Sequence, residues 1–485
     1  MTTGKKPATL RWVALCVVSL LGTTVQARSQ DPIESNLLKA NRLQAEGKFR
    51  EAGPLYLKAV AEAEKLPETD PRRGKSYNNL AAHYHIQGRF TDAEPLYLRA
   101  LKIWETTLGE DDERVAACLN NLGELSRQLG RLEEAEKYYR RALQMRESAV
   151  VHAPVQLANA LNAIGVLQQE KGQLTEAESS QQRALKLQES SLGAQHLQVA
   201  VSLNNLAELY RVQQRYTEAE PLYLRALEIR QRALGEEHPE FASALNNYAA
   251  MLQDQGDLEQ AERFYRTSLA IREKTFGPDH TLVATNLNNL GTLMRVKGNY
   301  EEAAAMMERC LKIWERVHGE THPNVAAALN NLADIRMGQE KRAEAEPLYR
   351  RALEIIERKA GPDSLQAVNI MRNLGALFYM QEKYRGAEQF FTRALDTSER
   401  MLGPANPGIA DLSHMAGLSC QMQGRYTEAG RYFRKASGIY ETSYGASHPK
   451  VATSLAGYTA SLRGSNQDKE AERVERRVRQ IMEQQ

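Results

Sequence analysis

The sequence is poor in cysteine, in aromatic residues and in net charge, and it lacks the short motifs that indicate a catalytic site. Of its 485 residues, four are cysteine and 7% are aromatic. It contains no glycine-rich phosphate loop, nucleophile elbow, Cys-x-x-Cys or His-Glu-x-x-His pattern. Paired glutamates are frequent, but they recur throughout the chain at regular spacing, as surface and capping residues do. We therefore predict that the protein is not an enzyme and uses no cofactor and no metal.

The small net charge excludes another class of function. The formal charge is +2, and removal of the first 27 residues, which hold three basic and no acidic side chains, leaves a net charge of −1. A nucleic-acid-binding protein would carry a strong basic patch. Cys118, Cys310 and Cys420 remain after this removal, an odd number spread far apart, and we predict buried structural thiols rather than disulfides.

The N-terminus has the pattern of a signal peptide over residues 1–27. Lys5, Lys6 and Arg11 precede an apolar stretch, and Val25-Gln26-Ala27 is a small-residue cleavage site. The apolar stretch is shorter than the ~20 residues that span a bilayer. We predict cleavage near Ala27, export to the periplasm or the exterior, and no integral membrane segment in the mature chain. The alternative is an uncleaved anchor. Residues 28–34 are expected to be a short linker.

Alanine recurs with a period of 42 residues over almost the whole remaining chain. The positions are Ala93, Ala135, Ala177, Ala219, Ala261, Ala303, Ala345, Ala387, Ala429 and Ala471. Within one period, Leu203, Leu206 and Tyr210 form one helical stripe and Ala219, Leu222 and Ala226 form a second. Neither half alternates as a propeller strand would. The repeat is therefore predicted to be two helices, with about eleven pairs stacked from residue 35 to residue 485.

The residues between the stripes predict where each helix ends. A glycine lies between the two halves in most copies, as at Gly172 and Gly256, and another follows the second half, as at Gly235. Glycine ends helices because it adopts positive φ at little cost. The Thr-x-x-Glu patterns Thr175–Glu178 and Thr217–Glu220 predict capping boxes at the start of the second helix.

The repeat resembles the tetratricopeptide repeat of the kinesin-light-chain type. The shared elements include LNNLA, EAEPLY followed by RAL, and an LG pair followed by HP. The resemblance implies an all-α, right-handed superhelical solenoid whose first helices line a concave groove. Kinesin light chains also carry a heptad-repeat segment, which does not precede these repeats, so the resemblance implies a fold and a binding mode rather than a motor role.

Two polar rows on the first helix of each repeat are the predicted peptide-binding groove. The first row contains Asn78, Asn120, Asn162, Asn204, Asn246, Asn288 and Asn330. Seven residues later, on the same face, stand Arg127, Arg211 and Arg295, with glutamine between them. Asparagine can donate to and accept from a peptide backbone, and arginine can bind carboxylates. The alternatives are that the amides join neighbouring helices and that the arginines are solvated surface charges.

The C-terminal third departs from these rows. The asparagine position becomes Arg372, His414 and Ala456, and the arginine position becomes Met337, Tyr379 and Gln421. We expect this part either to bind something more apolar or to cap the stack.

Histidines and tryptophans at repeated positions have competing interpretations. His196, His238, His280 and His322 lie one repeat apart, but a helix packing distance of ~8–10 Å is too long for ligands of one zinc ion. A role at the start of the next helix is favoured. Trp104 and Trp314 occupy a position where other repeats have arginine, which indicates either partly exposed interface anchors or packing at a helix edge.

Together these patterns predict a non-catalytic scaffold that binds peptide segments or partner proteins in a concave groove. The residues predicted to line it are Asn120, Asn204, Asn246, Asn288, Asn330, Arg127, Arg211 and Arg295. The alternative is an assembly factor of a cell-envelope complex that acts through its convex face and its ends.

Overall fold

A computed structural model describes residues 31–46, 48–148, 153–361, 364–404 and 406–483. Within these ranges the chain forms 22 α-helices and no strand. The helices are α1 Pro32–Ala45, α2 Phe49–Ala63, α3 Pro71–Ile86, α4 Phe90–Leu108, α5 Glu113–Gln128, α6 Leu132–Ser148, α7 Pro154–Glu170, α8 Leu174–Leu192, α9 Leu197–Val212, α10 Tyr216–Leu234, α11 Pro239–Gln255, α12 Leu258–Phe276, α13 Thr281–Val296, α14 Tyr300–His318, α15 Pro323–Gly338, α16 Arg342–Ala360, α17 Leu365–Met380, α18 Tyr384–Leu402, α19 Pro407–Met422, α20 Tyr426–Tyr444, α21 Pro449–Gly464 and α22 Asp468–Glu483. The predicted eleven helical pairs are confirmed.

The odd-numbered helices are the first helices of the repeats, called helix A below, and the even-numbered ones are helix B. The described residues divide into two compact units, the first with α1–α14 up to residue 320 and the second with α15–α22 from residue 321 onwards. In each unit, helix A packs against helix B of its own repeat, and helix B packs against the next helix A of that unit. This pairing is the repeat-stacking architecture that the sequence predicted.

The ten recurring alanines belong to the buried core of this architecture. All ten have no exposed surface. Large side chains such as Tyr97 and Tyr223 are buried beside them. A small residue at this position allows two helices to approach, and a larger one would overpack the contact at a cost of roughly 1–3 kcal/mol. The strict alanine spacing therefore follows from packing inside each repeat.

The helix ends agree with the glycine pattern but not with the capping boxes. Gly235 ends α10 with φ 82° and ψ 168°, and Gly256 ends α11 with φ 95° and ψ 2°. The predicted capping boxes are wrong, because α8 and α10 begin at Leu174 and Tyr216, one residue before each threonine. The residues at the N-cap are Gln173 and Arg215, and neither makes a side-chain capping bond.

Three further predictions concern the chain ends and the cysteines. The predicted signal peptide at 1–27 and the beginning of the linker lie outside the described residues, and α1 begins at Pro32 rather than at 35. None of the helices in the described ranges has the length and apolar character needed to cross a membrane. Cys118, Cys310 and Cys420 are buried free thiols, as predicted.

Candidate functional site

The predicted asparagine row is buried in the first unit, where it joins neighbouring repeats. Asn204 has 1% of its surface exposed, and Asn120, Asn246 and Asn288 are buried as well. The second asparagine of one repeat donates to the first asparagine of the repeat before it. These bonds run from Asn121 to Asn78 at 3.2 Å, from Asn247 to Asn204 at 3.1 Å, from Asn289 to Asn246 at 3.3 Å and, in the second unit, from Asn373 to Asn330 at 3.1 Å.

This arrangement corrects the expectation that the asparagines of the first unit face an open groove. The amide group is both donor and acceptor, so one asparagine can connect two helices A that lie side by side. The contacts match the alternative given above, in which the amides join neighbouring helices. Of the five predicted asparagines only Asn330, in the second unit, is partly exposed.

Arg127 and Arg211 are buried within ion pairs that also connect repeats, so neither is the solvated surface charge that was the alternative. The Arg211 guanidinium is 5% exposed and lies 2.8 Å from Glu208 on its own helix and beside Asp254 on the next helix A. Tyr223 donates to the same Glu208 carboxylate at 2.9 Å. Burial by itself lowers the pKa of Arg211, but Glu208, Tyr223 and Asp254 together more than offset this and hold the pKa above its usual value.

Arg127 repeats the arrangement two repeats earlier in the chain. It pairs with Glu124 and Glu170 at 2.5 Å each, and Tyr139 donates to Glu124 at 2.9 Å. Carboxylates of the protein itself bind both guanidinium groups, and each group connects its own helix A to the next one.

Arg295 differs from the other two predicted arginines. The residue three positions before it is Thr292, where Arg127 and Arg211 have a glutamate. Its side chain is partly exposed and makes no hydrogen bond or ion pair with any described residue. Arg295 is thus the one member of the predicted arginine set whose guanidinium remains available in the described part of the chain.

The same helix-A positions are open in the second unit. We call this surface the second helix-A face. It consists of Asn330, Arg372, His414 and Ala456, followed on the same helices by Met337, Tyr379, Met380, Gln421 and Met422. Met380 is 48% and Met422 is 52% exposed. All the other members except Ala456, which is exposed, are partly exposed.

Two side chains give the second helix-A face its polar character. The Arg372 guanidinium makes no ion pair or hydrogen bond with any residue the structure describes, although it lies between Asn330 and His414 in the row. The His414 ring lies 3.1 Å from the Ser454 hydroxyl, and burial lowers the pKa of this histidine. An available cation beside exposed methionines can bind an acidic or polar group together with an apolar one.

The recurring histidines cap helices. In each of His196, His238, His280, His322 and His448, Nδ1 accepts a hydrogen bond from the backbone N–H two residues later. Each therefore occupies the N-cap of a helix A. This confirms the capping interpretation.

Trp104 and Trp314 are fully buried, which confirms packing and makes the prediction of partial exposure wrong. The inference from arginine at the equivalent position failed because those arginines are buried too. Arg272 donates to the Leu282 carbonyl at 3.0 Å and to Ser243 at 3.2 Å, and burial lowers its pKa to about 9. Charge at a repeated position was therefore not a sign of exposure.

Three solved structures are similar to this chain. The chain is similar to BtubC (BKLC) from P. vanneervenii, at 23% identity over 51% of this chain and 92% of that one, with a TM-score of 0.40. It is similar to the nearly identical TPR-like repeats of a putative kinesin light chain from Podosopora anserina, at 17% identity over 42% of this chain and 96% of that one, with a TM-score of 0.39. The apo form of RapI matches at 17% identity over 59% of this chain and 97% of that one, with a TM-score of 0.44.

Sequence comparisons give the family directly. No curated protein matches the chain significantly. The family model described as tetratricopeptide repeat matches residues 72–148, 156–232, 240–295, 283–343, 324–400 and 408–484, which is most of the chain. Proteins of this family are generally non-catalytic scaffolds for protein interactions, and no enzyme family is indicated. The chain is a member of the tetratricopeptide-repeat family.

Proposed function

We propose that this chain is an exported scaffold that binds a peptide segment or an extended part of a partner protein along the second helix-A face. The observation that carries the proposal is the contrast between the two units. Asn204 and Arg211 of the first unit are buried and bonded to neighbouring repeats, whereas the equivalent Arg372 and Tyr379 of the second unit are partly exposed and the adjacent Met380 is exposed. A surface that keeps an available guanidinium and exposed methionines offers both specificity and apolar contact.

The affinity of such a surface would come from several modest contacts along the row. Met380 and Met422 lie in successive repeats and supply adaptable apolar contacts. Arg372, eight residues before Met380 on α17, supplies a charged contact. Export remains part of the proposal, and it depends on the N-terminal pattern Lys5 to Ala27 described above.

Paired substitutions in one repeat test the proposal. Arg372→Glu and Met380→Glu change the second helix-A face, whereas Arg385→Glu and Met401→Glu make the same changes on the exposed part of α18. Each chain is used to capture crosslinked partners from the envelope fraction of the native host, after circular dichroism confirms equal helicity. We expect the first pair to lose the partner that wild type captures and the second pair to retain it.

The opposite outcome favours the alternative function. If the α18 variants lose the partner and the Arg372 and Met380 variants retain it, the chain acts through its convex surface, as an assembly factor would. If the chains with either pair of substitutions still capture the partner, neither surface is the binding site.

A further inference from the structure

Repeats that are far apart in the sequence meet within the first unit. The ring centroids of Phe49 and Phe276 are 4.9 Å apart, and Phe90 stacks on His318 at 5.3 Å. In a solenoid each repeat normally contacts only its neighbours. These contacts therefore bring together side chains that no single repeat, and no pair of neighbouring repeats, contains.

A cleft of about 250 Å³ opens where these repeats meet. We call it the Phe276 cleft. Its lining includes two phenylalanines, two arginines, a glutamine and an aspartate, namely Phe49, Phe276, Arg50, Arg89, Gln87 and Asp279. Pockets for drug-sized ligands combine an apolar wall with a few polar groups and measure ~300–1,000 Å³. The Phe276 cleft has the same combination at a smaller size, so it suits a small molecule.

One wall of the Phe276 cleft is an aromatic stack. The rings of Phe276 and His280 are 4.2 Å apart between centroids and 16° from parallel. Both nitrogens of His280 are engaged, because Nδ1 accepts from the Leu282 N–H and Nε2 donates to the Ile86 carbonyl at 3.0 Å. The residue equivalent to Phe276 in the preceding repeat is Leu234. An aromatic ring of a ligand can extend this stack.

Arg89 lacks the carboxylate that binds its equivalents in other repeats. The equivalent Arg215 lies 2.8 Å from Glu178, which belongs to helix B of the repeat before it. At the position of Glu178, the first repeat has Gly53. The Nε of Arg89 donates to Asp92 at 2.7 Å, but its two terminal nitrogens make no hydrogen bond with a described residue. These nitrogens are therefore available to a ligand.

Arg50 is an exception at its own repeat position. The second residue of helix B is threonine at Thr91, Thr175 and Thr217 and glutamate in the other repeats of the first unit. The Arg50 side chain is exposed, and its guanidinium lies against Gly277. It makes no hydrogen bond or ion pair with a described residue. The cleft thus contains a second available guanidinium group.

Positive charge is in excess at the Phe276 cleft. The Asp279 carboxylate pairs with Arg316 at 3.0 Å, and Asp92 pairs with Arg89 through Nε alone. Among the described residues that line the cleft and their ion-pair partners, the guanidinium groups of Arg50, Arg89 and Arg316 meet two carboxylates. Arginine binds a carboxylate through two parallel hydrogen bonds. The charge of the cleft therefore favours an anionic ligand.

We propose that the Phe276 cleft is a binding site for a small aromatic carboxylate. The ring of the ligand lies against Phe276, and Arg50 and Arg89 bind its carboxylate. The ligand then connects α2 and the α3–α4 junction on one side to the α12–α13 junction on the other. This site is separate from the second helix-A face, so its test stands or fails independently of the proposed function.

Binding is measured with β-naphthoate, titrated into the full chain and followed by isothermal calorimetry. The wild-type chain should bind it. β-Naphthamide has the same rings without the charge and should bind about tenfold more weakly, because it loses a charge-assisted hydrogen bond. If β-naphthoate does not bind, or if the two compounds bind equally, the proposal is overturned.

Substitutions by residues from other repeats test the two arginines. Arg50→Thr introduces the residue found at Thr91, and Arg89→Gln introduces the residue found at Gln173, so the repeat accommodates both. Each should weaken β-naphthoate binding by about tenfold. The matched control Arg385→Thr makes the first change at the equivalent exposed position of α18 and should bind as wild type does.

Two outcomes of these substitutions would contradict the proposal. One is wild-type affinity in the Arg50→Thr chain, with helicity unchanged by circular dichroism. The other is an equal loss of affinity in the Arg50→Thr chain and the Arg385→Thr control.

Hydrogen exchange locates the bound ligand without any substitution. A ligand that binds the folded chain slows the opening of the segments that it contacts. Saturating β-naphthoate should therefore slow exchange in α2 and at the α12–α13 junction together, and should leave α8 unchanged. Protection on one side only, or equal protection in α8, would place the ligand outside the Phe276 cleft and refute the assignment.

Discussion

Two glycines at helix ends offer a quantitative test of the argument that glycine ends helices because it adopts positive φ at little cost. Gly235 and Gly256 both have positive φ, and a Cβ added at either would meet no atom within 4 Å. They differ in ψ, which is 168° at Gly235 and 2° at Gly256. Alanine at Gly256 would adopt a left-handed helical conformation, whereas alanine at Gly235 would adopt a region almost restricted to glycine.

The expected magnitudes follow from these conformations. The left-handed conformation costs an L-residue roughly 1–2 kcal/mol, and alanine recovers roughly 0.5–1 kcal/mol of that through its less flexible unfolded chain. Gly256→Ala should therefore lower the free energy of unfolding by about 0.5–1 kcal/mol. Gly235→Ala should lower it by about 2 kcal/mol, because its strain reaches up to about 3 kcal/mol.

A third variant should raise the free energy of unfolding instead of lowering it. Gln214 occupies the position equivalent to Gly256 in the preceding repeat and has φ 62°. Its side chain is exposed and makes no hydrogen bond with a described residue. Gln214→Gly should raise the free energy of unfolding by about 0.5–1 kcal/mol.

The assay must report locally, because a long repeat array does not unfold in two states. Hydrogen exchange of the α9–α11 amides measures the change in the free energy of unfolding for all three variants. Thermal melts followed by circular dichroism accompany it. If Gly235→Ala costs no more than Gly256→Ala, or if Gln214→Gly destabilises α9–α11, the reasoning from φ and ψ is refuted.

Four further predictions concern buried polar groups and processing. Burial lowers the pKa of His83, His85 and His280 from 6.5 to about 4, so the folded state keeps them neutral. The free energy of unfolding should therefore have its full value above pH 6.5 and should fall by up to ~1.4 kcal/mol per pH unit for each histidine as the pH decreases towards 4. Urea melts at pH 7 and pH 5 that coincide would contradict this. Arg211→Met leaves the buried Glu208 and the partly buried Asp254 without their cation and should cost about 3–5 kcal/mol, whereas a loss below ~1 kcal/mol would show that the ion pair is weak. A double-mutant cycle of Asn204→Ala and Asn247→Ala should give a coupling of about 1 kcal/mol, and additive losses would argue against the bond between them. N-terminal sequencing of the chain isolated from its host should begin at Arg28, and an intact Met1 would refute cleavage after Ala27.

The repeat unit was predictable because its determinants are local. Ala219 and Leu222 fall on one stripe of one helix, and the helix that they pack against is the nearest one in sequence. The same argument gave the alanine core and the glycine ends. It failed at the capping boxes, because Thr217 lies one residue inside α10 rather than before it. The N-cap is Arg215 rather than Thr217, and such a two-residue shift at a helix start is below what periodicity can determine.

The candidate site was less predictable from the same rows. Asn204 and Arg372 occupy equivalent positions and share the same helix face, so the repeat pattern treats them alike. Their exposure differs because Asn204 is bonded to a neighbouring helix A and Arg372 is not. The carboxylates Glu208 and Asp254 were visible in the sequence, and their spacing from Arg211 could have indicated an internal ion pair. The exposed methionines Met380 and Met422 were missed because only the polar rows were followed.

The sequence by itself determined that this protein is a stack of eleven paired helices, because a 42-residue pattern specifies each pair and each pair packs mainly on its neighbours. It also determined that no known catalytic motif is present. Only the tertiary structure decided which helix-A side chains are accessible and that Phe49 and Phe90 meet Phe276 and His318. The physical reason is that exposure and distant contacts depend on how the repeats stack in space over several copies, and a pattern that describes one repeat does not specify that stacking.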